Sequence, residues 1–272
     1  MNMYTIKLIA LVLMTLDHIA SSFQMYIPCP IYDILRIIGR AAAPLFMFAL
    51  INGIRNTGDR KKYGLRLYLS NLIISVLFIP LEMMNCIGRP PQMIGTFFLT
   101  LLYICLIDNI ISKKHIIRDF VFLILITLAP YFFDRFITEE LCSLIMTNTE
   151  NYLLCNSVRY VIRALIPDLS TTDYSALFIL MGIIMYYCNK KEFQCIVILV
   201  FSILCYISQS YFPFLFGVFM KFLNPIQLFM ILAIPFILLY NGERGKENKW
   251  MFYIYYPLHM IILNGFVFCI SS

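Results

Sequence analysis

Lys7-Leu-Ile-Ala-Leu-Val-Leu-Met-Thr-Leu-Asp17-His18 is an apolar run with ionisable groups at its two ends. At 100° per residue, eleven steps return to within about 20° of the starting direction, so Lys7 and His18 share one helix face. At 1.5 Å rise they lie about 16 Å apart along the axis. With Lys7 at a membrane surface, His18 falls near the bilayer centre. Ionisable groups there cost several kcal/mol and mark function by default. A core histidine with a hydrogen-bond partner is the structural alternative. Asp17 beside it adds a second buried charge to explain.

The rest of the chain supports a membrane setting for this run. Of 272 residues, 61% are hydrophobic and 13% charged, against about 25% charged in a soluble domain. One water-facing core would not hide that apolar surface. The class is therefore all-α, a polytopic membrane bundle, read as a single domain over 1–272. The first segment is long enough to span and lacks the small-residue cleavage pattern of a signal peptide. No nucleic-acid motif and no P-loop occurs, so neither a nucleic-acid partner nor a bound nucleotide of that type is expected. Nine cysteines show no C-x-x-C and no metal-like spacing with histidine, and no metal is expected. Cys142 and Cys155 lie in a more polar stretch, and location outside the cell would permit a disulfide between them without requiring one.

Nine apolar segments, at about 5–25, 32–54, 64–84, 93–111, 116–136, 174–188, 193–209, 225–241 and 250–270, span or nearly span a core about 30 Å thick. Alternate connections are rich in Lys and Arg: Arg55, Arg60, Lys61, Lys62 and Arg66 after the second, Lys113, Lys114 and Arg118 after the fourth, Lys190 and Lys191, then Arg244, Lys246 and Lys249. Such connections stay cytoplasmic. The path this predicts has a cytoplasmic amino terminus, nine crossings and an extracytoplasmic carboxyl terminus. Residues 137–173 read as an outer connection holding one or two helices that lie on or dip into the outer leaflet. Residues 210–224, bracketed by Pro213 and Pro225, read as a re-entrant or interfacial helix. No internal repeat is visible.

Three ionisable residues from three helices reach similar depth. Arg40, one turn from Arg36 on the same face, lies about 13 Å into the second segment, and His259 about 13 Å into the last. Arg40 needs a counter-charge, and Asp17 is at matching depth. That bridge either fixes helix packing or also holds His18 in place. Pro257 kinks the last helix or frees a carbonyl for a ligand. Asp173 reads as a helix cap. Asn241-Gly242-Glu243-Arg244-Gly245 reads either as a helix-ending turn or as backbone that wraps a phosphate beside Arg244 and Lys246. Anionic lipid headgroups would use the same inner charge.

In order along the chain, the run ending at Asp17-His18, Leu35-Arg36-Ile37-Ile38-Gly39-Arg40 with Pro44, Lys61-Lys62-Tyr63, Asp173-Tyr174, Ile234 to Gly245, Phe252-Tyr253 and Tyr256-Pro257-Leu258-His259 resemble the TraX family of integral membrane proteins. More remotely the chain resembles the transmembrane acyltransferase group, in which a basic residue, ten residues and a histidine in the first helix accompany acyl transfer from cytoplasmic acyl-CoA. Lys7 and His18 match that spacing. The family's named activity, N-terminal acetylation of conjugative pilin, implies a multi-pass protein of a bacterial inner or plasma membrane. It also implies acetyl-CoA as donor and an amine or hydroxyl acceptor on a protein N-terminus or a glycan. The 137–173 insertion departs from the family and leaves the acceptor open.

The chemistry expected on that resemblance assigns His18 as general base. Asp17 or Arg40 would orient it, and His259 or Arg40 would stabilise the developing oxyanion. Lys7, Arg55, Arg60, Lys61, Lys62, Arg66, Arg244 and Lys246 would hold the CoA phosphates. His18 carrying the acetyl group covalently is an alternative. A transporter or lipid-binding protein that uses the same buried His, Asp and Arg is the other class of function.

Overall fold

The computed structural model describes residues 1–83, 92–113, 115–167, 169, 175–211, 225–246 and 249–271. It is helical, with no strand among the described residues. In chain order the helices are α1 (Met3–Ser22), α2 (Cys29–Gly39), α3 (Ala42–Asn56), α4 (Arg60–Met83), α5 (Met93–Ile111), α6 (Ile116–Phe133), α7 (Glu139–Thr149), α8 (Tyr152–Leu165), α9 (Ser175–Tyr187), α10 (Lys191–Tyr211), α11 (Ile234–Leu238) and α12 (Lys249–Ser271). A π-helical turn, Asp134–Thr138, joins α6 to α7, and a 3₁₀ segment, Pro225–Ala233, leads into α11. Two compact units result. One combines Met1–Asn56 with Leu180–Ser272, and the other is the contiguous Thr57–Ile179.

In the first unit, Asn2 starts α1. Its side chain accepts from the Thr5 N–H at 2.9 Å, satisfying one of the orphan donors of a helix N-terminus. The Met3 and Tyr4 N–H groups find the carbonyls of Glu243 and Arg244 at 2.8 and 3.2 Å. The 241–245 turn, with Gly242 and Gly245 at positive φ, thus caps α1 with its own backbone. Met3, Ile6, Ala10, Met14, Asp17 and Ala20, three or four residues apart, are buried, which is the stripe of an amphipathic helix. This helix packs on α2, α3 and α12. The central helix is α3, with Leu45, Met47, Ile51 and Ile54 fully enclosed.

The second expected span, 32–54, is two helices with a break at Arg40–Ala41. Pro44 has no N–H to donate to the Arg40 carbonyl, so the ladder opens one turn before it. Arg55 reaches the end of α9, donating to the Tyr186 carbonyl and, at 2.8 Å, to that of Cys188. Gln194 joins it on the Met185 and Cys188 carbonyls at 2.9 and 3.1 Å. Together they satisfy acceptors that a helix C-terminus leaves open.

In the second unit, α4 packs on α5 and α8, α5 on α6, and α7 on α8. Tyr103 on α5 donates to Thr127 on α6 at 2.9 Å. The helix does not stop near residue 136. It runs through the π turn from Ile116 to Thr149, because Glu139, Glu140, Leu141 and Met146 are good helix formers; the one or two helices expected within 137–173 are α7 and α8. Glu150, in the left-handed conformation, reverses the chain, and Asn151 caps α8 by accepting from Leu154 at 2.9 Å. Arg163 grips Asp134 with a two-nitrogen fork at 3.0 and 2.9 Å. Arg159 meets Glu139 at 3.1 Å. Cys142 and Cys155 are buried free thiols, with the Cys142 Sγ 3.6 Å from the Cys155 carbonyl.

Each of the nine apolar segments is helical. Among the described residues, six helices are long and apolar enough to cross a membrane: Met3–Ser22, Cys29–Asn56, Arg60–Pro80, Met93–Ile111, Ile116–Thr149 and Met251–Ile270. Ala176–Tyr187 and Ile226–Leu238 are apolar but shorter than the ~20 residues a full crossing takes. Among the described residues, length and hydropathy together support six crossings and leave the expected nine unestablished. Exposed faces carry large apolar side chains, among them Leu69 and Ile73 on α4 and Phe122 and Leu125 on α6. Acyl chains suit such faces, and water does not. The expected cap at Asp173 and the interfacial helix over most of 210–224 lie outside the described residues.

Candidate functional site

Helices α1 and α12 lie side by side and run parallel. The Tyr4 ring meets Phe252 edge-on at 6.2 Å, and the Lys7 ammonium lies 5.2 Å from the centre of the same ring. Further along, the Thr15 and Tyr255 hydroxyls are 2.7 Å apart. Deeper still, His18 Nδ1 lies 2.8 Å from His259 Nε2. Their ring centroids are 5.0 Å apart with planes within 6°. A nitrogen–nitrogen distance that short at that separation means coplanar rings joined edge to edge, not a face-to-face stack. Tyr255 flanks His259 with a nearly parallel ring at 5.2 Å.

The hydrogen bonds assign the protons. His259 Nδ1 lies 2.8 Å from the Tyr255 carbonyl, which only accepts, so Nδ1 carries the hydrogen. A neutral imidazole with Nδ1–H has an accepting Nε2. His18 Nδ1 must then donate to it, and the remaining nitrogen of His18, Nε2, bears the lone pair. His259 thereby fixes both the tautomer and the ring direction of His18, the arrangement by which a second group prepares a general base. Thr15 donates to the Leu11 carbonyl at 2.8 Å, so the Tyr255 hydroxyl donates to Thr15. That bond ties α12 to α1 one turn before the imidazoles.

Asp17, the next residue, faces α2. Its Oδ1 receives Nη1 of Arg36 at 2.9 Å and Nη2 of Arg40. Arg40 Nε also donates to the Arg36 carbonyl at 3.3 Å. The Asp17–Arg40 bridge read from sequence is formed, and Arg36 shares its oxygen. Gly39 makes the approach possible: a Cβ there would stand 2.9 Å from Asp17 Oδ1 and 3.0 Å from Asp17 Cα. Asp17 and His259 are 8% and 6% exposed. His18 follows Asp17 directly on α1, so the arginine bridge and the imidazole pair sit at one level of that helix.

The four residues expected to carry chemistry, Asp17, His18, Arg40 and His259, are therefore gathered in one place by α1, α2 and α12. Arg36, Gly39 and Tyr255 join them. The i, i+4 spacing of the arginines placed Arg36 on the same face as Arg40. Nothing in the sequence marked Gly39 as a contact or Tyr255 as the acceptor that orients His259.

The expected phosphate-binding cations divide. Lys7 stands over Phe252, and Arg244 and Lys246 are exposed in the turn that caps α1. Arg55 is committed to the carbonyls ending α9. In the second unit, Arg60 pairs with Asp108 at 2.6 Å. Lys61 and Lys62 are exposed, Lys62 standing 3.5 Å from Asp59. Arg66 lies over the Tyr63 ring at 5.8 Å. The Lys62 backbone N–H, 3.0 Å from Asp59 Oδ1, holds the Asp59 carboxyl below the usual carboxylate range.

The family model of TraX protein matches residues 2–160 and 143–267 of the chain. No curated protein and no solved structure matches it. The chain belongs to the TraX family.

Proposed function

We propose that this member of the TraX family is a membrane acetyltransferase that moves an acetyl group from cytoplasmic acetyl-CoA to an amine or hydroxyl acceptor. The observation that carries the reading is the in-line His18–His259 pair. One imidazole is held by a carbonyl-anchored partner so that its free nitrogen is a base, about 16 Å from Lys7 along one helix. Family membership supports it, since the named activity of TraX is acetylation of pilin.

In this mechanism CoA supplies an activated acetyl thioester, and its phosphates are held at the α1 amino-terminal end by Lys7, Arg244 and Lys246. His18 Nε2 takes the proton of the acceptor as its nitrogen or oxygen attacks the thioester carbonyl; the C–S bond then breaks, CoA leaves as the thiolate, and the proton on His18 passes to that sulfur. Arg40 places positive charge beside the negative charge that develops on the carbonyl oxygen. His259 touches neither reactant in this scheme and acts as a positioning residue. The amino terminus would lie on the cytoplasmic side with the positive connections.

The test is His18→Ala in purified protein, with acetyl-CoA consumption measured against a peptide amine acceptor and normalised to folded, CoA-binding protein. Removing a general base costs roughly 10²–10⁴ in rate. Near-normal activity per folded molecule would refute the assignment. Acetylated His18 trapped on quenching would give the same lone pair a nucleophilic role. A second reading, transport, draws on the same in-line imidazoles, which also suit proton relay. It predicts no acetyl-CoA consumption at any acceptor concentration.

A further inference from the structure

Asp17 and the two arginines do not balance. Two guanidinium groups converge on one carboxylate oxygen, Arg36 Nη1 at 2.9 Å and Arg40 Nη2 in direct contact. The cluster therefore carries one positive charge in excess. The Arg40 and Arg36 side chains are 10% and 22% exposed, and that of Asp17 12%. Within a span, charge this enclosed is costly unless it is paired. The other titratable groups near it are His18 and His259, joined to each other as neutral rings, and the Tyr255 hydroxyl, donated to Thr15. Asp33, one turn before Arg36 on α2, is exposed and makes no ion pair with it. No described residue supplies the missing negative charge.

The donors are also unspent. A guanidinium has five N–H donors in a planar fork. Arg36 uses Nη1, and Arg40 uses Nη2 and Nε. Nε and Nη2 of Arg36 and Nη1 of Arg40 meet no acceptor among the described residues. These atoms are also absent from the sealed, unpartnered polar atoms of the interior, so they are not fully shut off from their surroundings. Two adjacent forks with spare donors suit a two-oxygen anion, and arginine is favoured for carboxylate and phosphate on that ground.

We propose that the Asp17–Arg36–Arg40 cluster is a binding site for an anionic group of the acceptor, a carboxylate or a phosphate, which it holds beside His18 Nε2. The proposal rests on the acetyl-transfer reading for the word acceptor alone. The anion site itself stands on the charge count and the spare donors. The anion remains unchanged through the reaction and fixes the attacking atom, so its binding contributes before the chemical step. Asp17 prevents the two arginines from repelling each other and limits how tightly the anion is held.

The test needs no acetyl-CoA. Purified full-length protein in uncharged detergent is titrated with potassium acetate and, separately, potassium phosphate, and thermal unfolding is followed. Wild type should show a saturable rise in Tm, as binding to the folded state alone requires. R36Q, titrated identically, reports the general salt effect and should lose at least about tenfold in apparent affinity. R36K, which keeps the charge and loses the fork, should fall between them and serves where R36Q does not fold. Adenosine 3′,5′-bisphosphate, the phosphate-bearing end of CoA, should give a shift that Arg36 substitutions leave unchanged. Superimposable titrations for wild type, R36K and R36Q would overturn the site. So would an Arg36-dependent shift seen with the bisphosphate alone, which would assign the charge to the donor. Acetyl-CoA consumption that depends on His18 but not on Arg36, with no anion effect, would sink this proposal and leave acetyl transfer standing.

Discussion

Removing the His259 side chain tests whether one histidine works through the other. In His259→Ala the His18 Nδ1–H loses an acceptor 2.8 Å away. His259 is 6% exposed, so bulk water does not readily replace it. A buried donor left unpaired costs about 1–3 kcal/mol. At 1.36 kcal/mol per decade that is roughly a 5- to 150-fold loss of transfer, provided the whole penalty falls on the arrangement that reacts. The loss should be smaller than that of His18→Ala, because the base itself remains. His259→Gln, whose carbonyl oxygen accepts a hydrogen bond, should recover part of it. The decisive measurement is the double variant. If His259 acts only by holding His18, then removing both costs no more than removing His18 alone, since groups that act as a unit are non-additive. The assay is acetyl-CoA consumption per folded, CoA-binding molecule for all four combinations. Losses that multiply in the double variant would refute the relay and give His259 an independent contact with the reacting atoms.

Other outcomes follow from the packing. Gly39→Ala puts a methyl 3.0 Å from the Asp17 Cα, so α1 and α2 must separate. Overpacking of this kind costs about 1–3 kcal/mol, and calorimetry in detergent should show a lower Tm together with reduced transfer, whereas an unchanged Tm would contradict the close approach. Arg163→Ala removes the two-nitrogen fork on Asp134 and should lower stability by about 1–3 kcal/mol, seen as earlier proteolysis between α7 and α8 with no change in CoA affinity. Single cysteines at positions 61 and 244 should resist an impermeant thiol reagent in intact cells while one at 150 reacts, in a background lacking the native cysteines. Labelling at 61 would reverse the assigned orientation.

How much of the site was legible in the sequence depends on the kind of geometry involved. Helical rise alone placed His18, Arg40 and His259 at similar depth, because 1.5 Å per residue holds in any apolar helix. Rotation was not legible. Asp17 and His18 diverge by about 100°, and only the packing of α2 on one side and α12 on the other shows that each has a partner. Pro44 lies mid-way in the expected 32–54 span, where a proline interrupts a helix, and the break it makes at Arg40–Ala41 was not read from the sequence. Arg55 read as one of a run of cytoplasmic cations, since charge says nothing of which carbonyls lie nearby, and its place at the end of α9 follows from tertiary packing. That α7 continues α6 without a break was not legible: the apolar segment reads as ending near 136, with separate helices after it, because Glu139, Glu140 and Asn148 are polar. Their side chains tolerate a helix well when partners such as Arg159 stand opposite.

The histidine pair has a consequence in time. Its members are 241 residues apart, one in α1 and one in α12. The unit that holds them is interrupted by Thr57–Ile179, a contiguous unit free to form its own contacts during synthesis. Until α12 emerges, His18 has no acceptor to fix its tautomer, and the base is undefined. A ribosome-bound or prematurely ended chain can therefore carry Lys7, Asp17, Arg36 and Arg40 in place and still lack the prepared nitrogen. On the proposed acetyl transfer, the base is therefore prepared only once α12 has docked on α1.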